Sequence, residues 1–154
     1  MNKIIFVYCV FLFAIMIGCI KKTETIIEQP VVEVISPAPC DTLRFGETFR
    51  FLVKVTDNTG LGNIKMDVHN NFGHHLHGEH VACIMDEPKD AVNPYFDEWI
   101  LELPTQNLEY TLDKQLYITD TSNFDTGDYH FHIYITDDEG YQTFTTMDVK
   151  ILNN

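Results

Sequence analysis

From residue 31 onward, apolar and polar residues alternate over short runs, and each run stops at a cluster of Gly, Asp, Asn or Pro. No stretch of this region carries a helical period of apolar residues. A period of two can bury one face of a strand but cannot build the apolar stripe of a helix, so the pattern restricts the chain to β-structure. Seven strands are predicted, over 31–35, 48–56, 63–69, 98–103, 110–118, 128–136 and 142–152. That number of short strands suits an all-β, immunoglobulin-like Greek-key sandwich. Two acidic turns punctuate it, Asp57-Asn-Thr-Gly60 and Asp137-Asp-Glu-Gly140. They fit turn chemistry better than calcium binding, because neither has the ligand spacing of an EF-hand loop.

Alternation also assigns faces. In the third strand Ile64, Met66 and Val68 are expected to point inward, with Lys65, Asp67 and His69 outward. In the sixth, Tyr129, Phe131, Ile133 and Ile135 point inward and His130, His132 and Tyr134 outward. The two strands are antiparallel neighbours in the immunoglobulin arrangement, which brings His69 beside His130 and His132 on one outer face.

All seven histidines of the 154-residue chain lie between His69 and His132, and five of them occupy His69, His74, His75, His77 and His80. Imidazole is the commonest protein ligand for transition metals, so the cluster is a candidate metal site, with His69, His130 and His132 at its centre and the loop histidines completing or covering it. Zinc and Cu(II) both suit nitrogen ligands, and copper binds more tightly by intrinsic order. The plainer alternative is a solvated polar loop whose histidines pair with Asp67, Glu79 or Asp86. Five imidazoles in twelve residues, plus a His-x-His pair on a strand, favour the metal.

Catalytic signatures fail. His77-Gly-Glu-His80 lacks the one-turn helical spacing of zinc hydrolases, and Gly73 and Gly78 argue against a helix there. His77-Gly-Glu79 has no Pro-Cys-x-x-Cys partner of the kind deaminases need. Copper–zinc superoxide dismutases share the sandwich and a strand His-x-His pair, but here that pair comes last in the chain, so the likeness is architectural. A non-catalytic role fits better than an enzyme, although Glu79 could in principle serve as a base beside an open metal position. Tyr95, Phe96 and Trp99 offer a carbohydrate platform, but core packing accounts for them more simply.

The N-terminus supplies the compartment. Lys3 precedes an apolar run over 4–17 that ends in Gly18-Cys19. This run is short for a membrane-spanning helix and resembles a bacterial lipoprotein signal, with Cys19 as the acylated residue. The expected division is a signal peptide over 1–18, a lipidated tether over 19–30 and one domain over 31–154, held in the cell envelope and facing the periplasm or the surface. An uncleaved anchor is the alternative. Loss of residues 1–18 removes Lys3 and leaves nine basic against 23 acidic residues, a formal charge of −14. Such a surface excludes nucleic acid as a partner and leaves the membrane, through the lipid, as the expected one, the protein partner being open. Cys40 and Cys83 remain. They form a disulfide candidate in an oxidising compartment; if they lie apart, Cys83 is instead a soft metal ligand.

The strings Lys65-Met-Asp-Val-His-Asn-Asn-Phe-Gly-His-His-Leu-His77 and Gly127-Asp-Tyr-His-Phe-His-Ile-Tyr-Ile-Thr-Asp-Asp-Glu-Gly-Tyr-Gln-Thr143 resemble a family of Bacteroidota envelope lipoproteins catalogued as a domain of unknown function. The resemblance covers nearly the whole mature domain. It implies an immunoglobulin-like fold and lipid anchoring, implies no activity, and implies a glycine where this chain has Cys40. Two functions follow as expectations: a metal-binding envelope lipoprotein for copper or zinc handling, delivery or sensing, or a non-catalytic interaction or adhesion module with a histidine-rich contact loop.

Overall fold

The computed structural model describes residues 28–75, 83–120 and 123–154. Among them lie eight strands and no helix: β1 Val31–Ser36, β2 Thr42–Arg44, β3 Thr48–Thr56, β4 Leu61–Asn70, β5 Asp97–Glu102, β6 Glu109–Tyr117, β7 Gly127–Asp137 and β8 Gln142–Leu152. They form two sheets, ordered β1-β3-β6 and β2-β8-β7-β4-β5. The protein is an immunoglobulin-like β-sandwich, as the alternation required.

The strand added to the seven expected is β2. Three residues are too few to display a period of two, so Thr42–Arg44 carries no signal in the sequence. It exists because β8 offers it an edge: Thr42, Leu43 and Arg44 pair in parallel with Lys150, Ile151 and Leu152. All other pairings are antiparallel.

The core fills the space between the sheets with the inward residues of each strand. Phe51, Val53 and Val55 of β3 face Ile64, Met66 and Val68 of β4 and Phe131, Ile133 and Ile135 of β7, all fully buried. β-branched and aromatic side chains dominate here because they fit a pleated surface and each removes a large apolar area from water. Trp99 packs on this core through an edge contact with Phe49, and Tyr95 is buried. Phe96 is not part of it; at 65% exposure it lies outside the packing expected of all three aromatics. Tyr129, at the start of β7, donates its hydroxyl to the carbonyl of Asp125 and accepts from the Tyr95 N–H, the tyrosine corner of this fold class. Burial pushes its phenol up to about 12.

Both acidic segments are turns. The Asp57 carboxylate accepts the Thr59 N–H, the Thr59 hydroxyl and the Gly60 N–H through one oxygen. Burial pushes this carboxyl up, but the three hydrogen bonds outweigh it and hold the group below its ordinary value. The Asp137 carboxylate likewise accepts from the Glu139 and Tyr141 N–H groups.

Gly62 has a role the pattern of apolar residues does not reveal. It sits where the β4–β7 register shifts between Leu61 and Asn63, and an added Cβ would stand 2.5 Å from the Asp137 carbonyl oxygen and 2.6 Å from that of Thr136. Backbone oxygens cannot swing aside, so only glycine lets the two strands close here. Gly62→Ala is therefore expected to destabilise the domain by about 1–3 kcal/mol in urea unfolding followed by Trp99 fluorescence. Gly73→Ala, where a Cβ meets nothing within 4 Å, is the matched control and should change little.

Candidate metal centre

The pairing of β4 with β7 builds the site. Asp67 stands opposite His132, and two residues further on His69 stands opposite His130. On the other side of β7, His130 pairs with Asp148 and His132 with Thr146 of β8. Because alternate residues share a face, these side chains form two successive rows on the outer surface of the five-stranded sheet, above the fully buried Val68, Phe131 and Ile133.

That outer face is not open to solvent at the site. His130 is 2% exposed, and Asp67 and His132 9% each, whereas an outward position in a two-layer sandwich is ordinarily wet. The segment after β4 lies over His69 and His130. A turn closed by the His74 N–H on the Asn71 carbonyl, with His74 in the left-handed region at φ 53°, folds the chain back toward the sheet. The buried Asn71 side chain accepts the His75 N–H and reaches the Asp148 carboxylate. As a result the His75 ring lies 5.1 Å from that of His130 and stacks parallel to that of His69 at 6.0 Å. Phe144 closes the opposite side, 5.1 Å from the His132 ring.

Two groups of possible ligands result. In one, single donor atoms of His69, His75 and His130 all lie within 4.8 Å of one another; in the other, those of Asp67, His69 and His132 do so. Three imidazole nitrogens suit zinc or copper, and two imidazoles with a carboxylate suit zinc and several other divalent ions. One Asp67 carboxylate oxygen is 3.3 Å from His69 Nδ1 and 3.5 Å from His132 Nδ1. His130 instead directs Nε2 at Asp148, 2.6 Å away, a short contact between two buried groups. A carboxylate on one ring nitrogen of a histidine fixes its orientation and raises the basicity of the other, the arrangement common behind metal-bound imidazoles.

The structure thus brings together His69, His75, His130 and His132 and adds Asp67 and Asp148. His74 is not part of either group; its Nε2 points toward Asp128 at 3.6 Å. His77, His80, Glu79 and Cys19 lie outside the described residues. Cys83 is bonded to Cys40, with Cα atoms 5.4 Å apart, which removes it as a ligand. Cys40 has φ 71°, a left-handed conformation that favours glycine, the residue implied there by the resemblance. Its N–H donates to the Asp148 carbonyl, so the disulfide ties the far end of the histidine segment to the strand that carries the His130 partner. Among the described residues, no ligand group forms at the two acidic turns.

Asp148 was the residue the sequence concealed. It occupies an outward position of β8, and the short turn after β7 sets its register against His130, yet a single aspartate in a Thr-rich strand gives no sign of its partner.

The chain belongs to the family described as "Domain of unknown function (DUF4625)", whose model matches residues 17–152. Among solved structures it is similar to a Niemann-Pick type C2 protein from Japanese carpenter ant, at 7% identity and a TM-score of 0.42, over 82% of this chain and 91% of that one. No curated protein matches.

The buried pair gives a direct test of the site's framework. Asp148→Ala leaves the His130 ring buried without its carboxylate and is expected to lower the unfolding free energy by about 2 kcal/mol or more, measured in urea. Asp148→Asn keeps the shape and should cost less.

Proposed function

We propose that this chain, a member of a family defined only by its unknown function, is a lipid-anchored envelope protein that binds a transition metal, copper or zinc, through its histidine cluster. The observation that carries the metal is the convergence of His69, His75 and His130 donors within 4.8 Å, from two strands and a covering loop. Imidazoles gathered for solvation alone would be expected to spread over the surface; here His130 is buried against Asp148, and Asn71 holds the His75 backbone so that its ring lies beside those of His69 and His130. Handling, delivery or sensing of the metal fits better than catalysis, because the histidine run matches neither the helical spacing of zinc hydrolases nor the cysteine-partnered element of deaminases. Lipid anchoring is supported by the apolar run that ends in Gly18-Cys19 and by the tether up to Pro30.

Metal analysis of the purified protein tests the first part. About one equivalent of copper or zinc is expected per chain, falling to background in His69→Ala and in the combined His69→Ala, His130→Ala and His132→Ala variant, with circular dichroism confirming the fold. Negligible metal in the unaltered protein sinks the idea. Protons compete for imidazole nitrogens, so retention should fall steeply between about pH 7 and about pH 5; binding that persists unchanged to about pH 4 excludes histidine ligation. For the anchor, mass spectrometry of membrane-extracted protein should find a diacylated or triacylated Cys19 as the first residue, and Cys19→Ala should leave the protein unprocessed.

A further inference from the structure

The two ligand groups share His69, and their geometry differs in a way that gives each a separate task. We infer that the site holds one ion in two alternative positions, an outer one on His69, His75 and His130 where it is captured and an inner one on Asp67, His69 and His132 where it is kept. This inference rests on the metal-binding reading above.

Three observations carry it. First, the inner group has the spacing of a coordination shell. A tetrahedral centre with bonds of about 2.1 Å has donor atoms about 3.4 Å apart. The Asp67 oxygen is 3.3 Å from His69 Nδ1, a long hydrogen bond, and 3.5 Å from His132 Nδ1, separations that also match neighbouring donors of such a shell. The neighbouring His130–Asp148 contact is much tighter, at 2.6 Å.

Second, access differs. The outer group has one exposed member, His75 on the covering loop, beside the buried His130; the inner group has none, because Asp67 and His132 are nearly buried and His69 is half-buried. An ion arriving from solvent meets the loop histidine before the carboxylate. Third, charge differs. In the outer group the Asp148 carboxylate stands behind His130 rather than among the donors, whereas Asp67 is itself a donor and would offset one charge directly in a poorly solvated place. The inner position is therefore the tighter one. Two dications cannot occupy both at full strength, because they would draw on the same ring and repel at short range.

The test uses Cu(II) alone as the probe, on the unaltered protein, Asp67→Asn and His75→Ala, with near-UV circular dichroism showing that each is folded. The expected results are one copper per chain, a two-nitrogen hyperfine pattern in electron paramagnetic resonance for the unaltered protein, and a three-nitrogen pattern for Asp67→Asn with affinity reduced by about 10–100-fold. His75→Ala should slow stopped-flow copper uptake by about tenfold, and the protein once loaded should still give the two-nitrogen pattern. Two coppers per chain, or a three-nitrogen pattern in the unaltered protein that Asp67→Asn leaves unchanged, overturns the two-position arrangement while metal binding stands. Failure of the unaltered protein to bind copper or zinc at all overturns metal binding itself.

Discussion

The antiparallel register of β4 against β7 is the constraint on which the rest of the molecule depends. It sets His69 opposite His130 and Asp67 opposite His132, and with them Val68 opposite Phe131 and Met66 opposite Ile133. A shift by one residue would exchange the two faces, placing the histidines in the core and the isoleucines in solvent. The register is thus held from inside, by apolar side chains that have only one acceptable face, and it sets which polar side chains meet outside.

That division of labour accounts for how a site rich in ionisable groups is tolerated. Buried polar groups are costly unless partnered, and the outer rows meet that demand largely among themselves. Asp148 takes His130 and Asn71, Asp67 lies against His69 and His132, and Asn71 holds the covering segment at His75. Of these contacts, His130–Asp148 and His132–Asp67 cross between strands, and Asn71–Asp148 joins loop to strand. The cluster consequently links β4, β7, β8 and the loop into one unit, to which the Cys40–Cys83 bond adds the segment before β2. A metal ion bound there would join the same elements and would be expected to stabilise them by mass action.

The row next to the cluster has a different character. Tyr134 and Phe144 face each other across β7 and β8 with ring centroids 4.9 Å apart, and Lys65 lies over the Tyr134 ring while pairing with Glu98. These side chains are partly exposed, and the Phe144 ring lies against His132. Polar and aromatic residues on one sheet face are therefore segregated by row, with imidazoles toward the covered pole and aromatic rings toward the middle of the strands.

By itself the sequence determined the fold class, the faces of the long strands and the neighbourhood of His69, His130 and His132, because a period of two and the antiparallel order of an immunoglobulin-like sandwich act on every residue of a strand alike. It also marked both acidic turns, whose aspartates bind the backbone within four residues. What only the tertiary structure decided comes from contacts between segments distant in the chain. β2 exists because β8 accepts it, Gly62 is required because Asp137 passes beside it, and His130 is buried on Asp148, eighteen positions away by sequence. The choice of His75 over His74 belongs to the same class. Both are loop histidines with identical local chemistry, and it is the turn at Asn71, anchored on β8 through Asp148, that swings one over the sheet and the other toward Asp128.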